Sequence, residues 1–271
     1  MSEADFERLS GFIHKEVGIT LSGNKKILLE SRLKSRLRAL NLDGYERYLR
    51  FLFSPVGMDE ELSHLIDAVT TNTTHFFREP LHFDYLVDLI LPRWLEKHGY
   101  FKTMRLWSAG CSVGMEPYTL GIVLSEFVEL HPEFTFFILA TDVSARALNT
   151  AREGVYDKSK LVDMDPRLME KYFRPCPEQG ERRVRVSREL AGLVTFDRLN
   201  FMEDFSFRVR LDVIFCRNVI IYYDRETQER LLQKLCKQLA PDGHVVIGMS
   251  ETLAGLDLPL KQVAPAVYMK I

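Results

Sequence analysis

Cysteine is scarce. Only Cys111, Cys176, Cys216 and Cys236 occur in 271 residues, far apart and never as CxxC. Such spacing argues against a disulfide framework or a structural zinc site and suits a reducing cytoplasm. No apolar stretch approaches the roughly 18 residues of a membrane span, and the opening MSEADFERL is acidic and amphipathic, unlike a secretory signal. A surplus of one charge is missing too: 36 Lys and Arg stand against 38 Asp and Glu, a net charge of −2. Proteins that grip nucleic acid regardless of sequence need a basic excess, so no nucleic-acid partner is expected. The seven histidines show no ligand spacing, and no metal is expected. With 46% apolar residues, 18 Phe and 10 Tyr, the chain has material for a large core and is not disordered.

Two patterns of hydrophobicity divide the chain. Residues 1–70 read as an all-helical domain. Phe6, Leu9, Ile13 and Val17 recur at helical spacing before Gly18, and Leu29, Leu33, Leu37 and Leu40 form a second stripe. That second helix is strongly basic, with Lys25, Lys26, Arg32, Lys34, Arg36 and Arg38 on both sides of its leucines. Helices over Gly44–Phe53 and Asp59–Val69 complete the bundle. From about residue 100, apolar runs (MRLWSAG, FTFFILATD, LVTFDRLN, LDVIFCRN, GHVVIGMS) alternate with helical segments Pro117–Leu130, Ala145–Arg152 and Arg225–Leu239. This alternation predicts an α/β fold with a doubly wound, mainly parallel sheet over residues 71–271. LKQVAPAVYMKI adds a strand pair turning at Ala264-Pro265. Residues 154–193, with the alternating RRVRVS, predict a small antiparallel β-subdomain inserted after the second crossover.

Open α/β sheets bind ligands at the carboxyl ends of their strands. The first run ends in Ser108-Ala109-Gly110-Cys111-Ser112-Val113-Gly114, which is not GxGxxG, so a dinucleotide cradle is poorly supported. Glu116, just inside the next helix, would repel phosphate and favour a cationic or zwitterionic ligand. Asp142 ends the second run, where an acid commonly holds ribose hydroxyls; it could equally cap the following helix. Asn200-Phe201 offers an amide and an aromatic plane for adenine, and Arg217-Asn218 with Tyr222 follows the fourth run. A nucleoside without phosphates but with a positive group fits this set, and S-adenosylmethionine is the candidate.

The segment Thr71-Asn72-Thr73-Thr74-His75-Phe76-Phe77-Arg78-Glu79 resembles the NxTxFFRE signature of the CheR family of chemotaxis receptor methyltransferases. The resemblance continues through Leu106–Ser112, Gly114, Glu116-Pro117-Tyr118, Ala140-Thr141-Asp142 and Phe215–Tyr222, and so covers nearly the whole chain. It implies a class I S-adenosylmethionine-dependent methyltransferase fold and methyl transfer to glutamates of chemoreceptor cytoplasmic domains. By position it implies a cofactor site of Asn72, Thr74, Arg78, Gly110, Glu116, Asp142, Asn200, Phe201, Arg217 and Asn218. Arg78 and Tyr222 would face the acceptor carboxylate. One departure is Met115, where the family usually has the first Glu of GEEPY; the second, Glu116, is retained.

A glutamate with a reference pKa near ~4.3 is already a nucleophile at neutral pH, so the lack of a Ser-His-Asp or Cys-His set is consistent with this chemistry. Phe76, Phe77, His75, Cys111 and Cys216 are read as packing residues. The basic second helix is either a solvated face or, as the resemblance favours, a dock for glutamate-rich receptor helices through Arg32, Arg36 and Arg38. The protein is expected to be cytoplasmic and monomeric, without membrane insertion. The competing readings are a cofactor-binding regulatory module weakened at Met115, and a methyltransferase for another acceptor.

Overall fold

The computed structural model describes residues 1–271. The helical domain comprises α1 (Glu3–Val17), α2 (Lys26–Ala39), α3 (Tyr45–Leu52) and α4 (Pro55–Val69). Ser2 caps α1 by accepting from the Asp5 amide at 3.1 Å. Gly18 ends it in the left-handed region (φ 76°), where a Cβ would meet Met202 Sδ at 2.7 Å. Glycine is therefore required both for the turn and for the approach of the other domain. The predicted stripes close one core, with Phe6, Leu9, Ile13, Val17, Leu29 and Leu33 buried against Tyr48, Leu52 and Leu65. Leu37 and Leu40 only border it.

The structure corrects the reading of α2 as a free cationic face. Arg36 makes a fork on Glu61 at 2.8 and 2.6 Å, and this carboxylate, 1% exposed, also accepts from Tyr48 Oη at 3.0 Å. Arg32 donates to the Val69 carbonyl and to Thr71 Oγ1, pinning the end of α4. Both cations hold the bundle together, and of the three docking candidates only Arg38 remains exposed, beside Lys34. Arg36→Glu is expected to cost about 3 kcal/mol or more, because it leaves a buried carboxylate facing another. Arg38→Glu should stay within about 0.5 kcal/mol of the parent. Denaturant midpoints of the two variants check this contrast.

A helix not anticipated from the sequence follows. It runs as α5 (Leu81–Tyr85), a wide π turn over Leu86–Ile90, and α6 (Leu91–His98). Pro92 cannot supply its amide to the ladder, and the looser turn accommodates that gap. Beyond it lie β1 (Met104–Ala109), α7 (Met115–Leu130), β2 (Phe136–Asp142) and α8 (Ala145–Glu153). The excursion consists of β3 (Val155–Asp157), α9 (Pro166–Tyr172), β4 (Phe173–Pro175), β5 (Arg183–Val186) and α10 (Arg188–Ala191). Here β5 is the centre of a three-stranded antiparallel sheet, as its alternation predicts. The chain then adds β6 (Val194–Arg198), β7 (Leu211–Cys216), α11 (Arg225–Gln238), β8 (Leu239–Ile247), β9 (Leu260–Ala264) and β10 (Val267–Lys270).

The main sheet has the order β6-β2-β1-β7-β8-β10-β9, with β10 antiparallel to both neighbours and the inner strands parallel. This is the class I methyltransferase arrangement, and its order reverses between β1 and β7. Leu106, Val213, Phe215 and Val246 face α7 and α5, whereas Trp107, Ile214, Cys216 and Val245 face α11 and the Phe201–Phe205–Phe207 cluster. Burial on both faces explains why these strands read as unbroken apolar runs. No helix is long and apolar enough to cross a membrane.

Candidate functional site

The helical domain clamps onto the carboxyl end of this sheet. Asn200 Nδ2 donates to the Glu16 carbonyl at 2.7 Å, the Thr20 amide to the Tyr222 carbonyl at 2.8 Å, and His14 Nε2 pairs with Asp224 at 2.6 Å. Asp67 at the far side accepts from Ser144 Oγ at 2.6 Å. Between the domains lies a cleft of about 610 Å³ lined by Gly110, Asp142, Asn200, Phe201, Asn218 and Tyr222. Its opposite wall is Val17, Ile19, Thr70 and Thr71, so the domain read as a receptor dock also closes the ligand site. A second chamber of about 430 Å³ is lined by Thr74, His75, Arg78, Glu116, Thr119 and Arg217. Gly110 and Asn218 belong to both chambers and mark their waist.

The backbone at this waist is held in uncommon conformations. Gly110 (φ 84°), Ser112 (φ 52°) and Asn218 (φ 57°) are all left-handed, and a Cβ on Gly110 would meet Val219 Cγ2 at 2.5 Å. Strain of this kind needs a surrounding structure that enforces it. The amides of Gly110 and Cys111 bond the Thr141 carbonyl, that of Ser112 bonds Asp142 Oδ2 at 2.8 Å, and that of Gly114 bonds the Cys111 carbonyl. A phosphate cradle needs such amides free, so the loop suits a ligand that brings no phosphate.

Asp142 is 8% exposed and accepts the Ser112 amide on one oxygen and the Ser144 amide on the other. Burial raises its pKa despite these bonds. The capping role passes to Ser144, whose Oγ accepts from Ala147 at 3.1 Å. In the second chamber Glu116 accepts from Ser108 Oγ at 2.7 Å and from Arg217 at 3.2 Å. Burial pushes Glu116 up, against the pull of Arg217. Arg217 also bonds Glu79 at 3.0 Å and the Arg78 carbonyl, and stacks its guanidinium over Phe83 at 5.4 Å. At Glu79 burial opposes ionisation, but Arg217 and the Met249 amide outweigh it and lower the pKa. Arg78 has no acidic partner and only reaches the Thr73 carbonyl at 3.0 Å.

Most of the residues singled out from the sequence thus meet at one cleft, with exceptions in detail. Asn72 lines neither chamber and instead accepts from Ser112 Oγ at 3.1 Å, supporting the strained loop. Asn200 reaches the wall with both ends of its amide in use, since Oδ1 accepts the Met202 amide at 3.0 Å. Arg78 and Tyr222 line different chambers rather than one. His75 is exposed on the charged chamber, within 3.1 Å of its neighbour's carbonyl through Nδ1, rather than packed. Met115 is 4% exposed in the main core and on neither wall, so its side chain has no part in the cleft. Glu251 was not foreseen at all. It is 9% exposed and gathers the amides of Asn218 (2.9 Å), Ile221 (3.3 Å) and Gly248 (2.6 Å), which shapes the loop carrying Asn218 and Tyr222. Glu79 was visible as the last residue of NxTxFFRE, but its bond to Arg217 was not.

Comparison with known proteins identifies the family. The family profile described as CheR methyltransferase, SAM binding domain, matches residues 72–269, and that of the CheR methyltransferase all-alpha domain matches residues 4–70. A chemotaxis protein methyltransferase of Borreliella burgdorferi is 39% identical over 274 residues, covering 100% of this chain and 95% of the relative. That of Salmonella typhimurium is 37% identical over 94% of this chain and 86% of its own. Among solved structures, magnesium protoporphyrin IX methyltransferase of Synechocystis with bound S-adenosylhomocysteine is a remote likeness, at 15% identity and TM-score 0.33 over 80% of this chain and 70% of that one. The chain belongs to the CheR family of S-adenosylmethionine-dependent chemotaxis methyltransferases.

Proposed function

We propose that the protein methylates glutamate side chains in the cytoplasmic domains of methyl-accepting chemoreceptors. The observation that carries this reading is the pair of chambers joined at Gly110 and Asn218, one suited to a nucleoside and the other to a zwitterion. In the first, Asp142 keeps lone pairs for ribose hydroxyls while its backbone bonds fix its orientation. Phe201 and the tethered Asn200 shape the adenine wall. In the second, Arg78 and Arg217 stand on the wall with Glu116, and Glu79 behind it holds Arg217, so the chamber offers both signs. Glu116 would face the ammonium of the amino-acid end, and Arg217 holds that carboxylate in place. When bound, S-adenosylmethionine supplies an electrophilic methyl and a neutral leaving group.

The remaining task is to present a carboxylate in line and exclude water. Arg78, unpaired by any acid, is free to orient an incoming carboxylate, and Tyr222 flanks the waist from the other chamber. No imidazole is needed as a base, because the acceptor is ionised already. Ile221 and Met249, 48% and 44% exposed, adjoin this mouth through their amides to Glu251 and Glu79 and give an acceptor protein apolar surface to rest on. Arg38 and Lys34 supply the exposed cations that would steer an acidic receptor bundle.

Calorimetric titration with S-adenosylhomocysteine tests the cofactor assignment. Asp142→Ala should weaken binding by about 10- to 100-fold, the worth of hydrogen bonds to a charged group. Base-labile methyl release from a receptor cytoplasmic fragment tests the acceptor. Transfer that is stable to mild base, or absent with an enzyme that binds the product, would reject glutamate. In Arg38→Glu, kcat/KM for receptor should fall while product binding holds; equal loss of both would reject the docking role.

A further inference from the structure

At the opposite pole of the sheet, beneath the amino ends of β7 and β8, lies a cleft of about 560 Å³ that the methyl transfer does not use. One face of α6 lines it with Arg93, Trp94, Lys97 and His98, and Asp212, Asp242 and His244 form the other wall. Its acids are already matched. Asp212 accepts from Lys102 at 3.0 Å and from the Arg105 amide at 2.8 Å, and Asp242 pairs with Lys97 at 2.5 Å. What is left over is donor capacity. Arg93 is exposed and has no ion pair or hydrogen bond. His244 is only 8% exposed, yet its imidazole lines the cleft and has no hydrogen-bond partner. His98 lies against Trp94 with ring centroids 5.0 Å apart and the planes tilted by 54°, its nitrogens likewise unbonded, and the buried Trp94 Nε1–H has no partner either.

Buried polar side chains are nearly always paired, with protein, water or ligand. The imidazole nitrogens of His244 have no protein partner and reach solvent on the wall of this cleft, beside a guanidinium with no ion pair, so the cleft offers unmatched donors to an acceptor-rich group. We propose that this cleft binds a phosphoryl oxyanion, free or carried on a small molecule, between Arg93, His98 and His244. The planar guanidinium matches two phosphoryl oxygens at once, and the two imidazoles each have an N–H to donate to a third. Ile90 and Met269 continue the lining beyond these three residues, where an ester substituent would lie.

The test is a titration of the full chain with inorganic phosphate and with glycerol phosphate, followed by calorimetry and tryptophan fluorescence at constant ionic strength. Trp94 lines the site, whereas Trp107 is fully buried and donates to Thr141 Oγ1 at 2.9 Å, so the two indoles report different regions. Saturable binding that weakens tenfold or more in Arg93→Gln is expected. That residue is exposed, so its replacement does not endanger the fold; His98→Gln serves as the second variant. Tighter binding of glycerol phosphate would assign the ester, and tighter binding of phosphate the free ion. No saturable response, the same response to chloride, or the parent's affinity retained in both variants would overturn the proposal.

Discussion

Replacing Arg217 with Met is expected to cost about 3–5 kcal/mol of stability and to abolish measurable binding of S-adenosylhomocysteine. Its side chain is 2% exposed and serves Glu79 and Glu116, whose side chains are 20% and 16% exposed. A methionine would fill much of the volume but leave both carboxylates without a cation in a poorly solvated pocket. The loss would come from the stranded acids, because a buried pair removed whole is often neutral while a broken one is costly. A triple variant, Arg217→Met with Glu79→Gln and Glu116→Gln, should therefore recover most of the stability and none of the affinity. Denaturant midpoints and product titrations on both proteins separate the two effects. A single variant as stable as the parent would mean that the network does not hold the chamber together.

The second large effect is on acid stability. His82 is 0% exposed with neither ring nitrogen hydrogen-bonded, and burial together with the nearby charge of Arg217 lowers its pKa from 6.5 to about 4. His244 is lowered to about 4 in the same way, by burial and by Arg93. In the unfolded chain both imidazoles take up a proton near pH 6.5, while in the folded protein they stay neutral. The unfolded state then binds more protons, so stability falls as pH drops from about 6.5 toward 4 and is fully present above that window. Each histidine forfeits about 2 kcal/mol by pH 5 and about 3 kcal/mol by pH 4. The carboxyls of Glu116, Asp142 and Glu251 act in the other direction, since burial raises their pKa and the folded state accepts their protons first. Comparison of denaturant midpoints at pH 7 and pH 5 measures the balance. His82→Leu should change little at pH 7, because the imidazole has no hydrogen bond to lose, and should flatten the decline by about 2 kcal/mol at pH 5. An unaltered pH slope in that variant would show that His82 is not buried neutral.

Local pattern determined a great deal here. Helical spacing in residues 1–70, the apolar runs of the parallel strands, the alternation of RRVRVS and the strand pair at the end are each set by which faces a segment must bury, and that is written in residue order. The cofactor class was legible for a related reason. Small residues after β1, Asp142 after β2 and Arg217-Asn218 after β7 mark strand ends, and strand ends of such sheets converge wherever the helices between them lie. The helix at 81–98 was obscured because Pro92 and the π turn break the simple period.

What only the tertiary structure decided was the partnering of charges. Arg32, Arg36 and Arg38 look alike along α2, yet Glu61, which fixes Arg36, lies 25 residues away on α4, and the carbonyl that takes Arg32 lies 37 residues away at Val69. Glu251 carries no local signal, because its worth comes from three amides gathered from two loops. The same holds for Val17, which reads as core from its spacing and also forms, with Ile19, a wall of the cleft. A periodic pattern records whether a side chain is inside or outside, since burial depends on the face of its own helix or strand. It cannot record which buried cation meets which buried anion, because that depends on how separate elements are brought together in space.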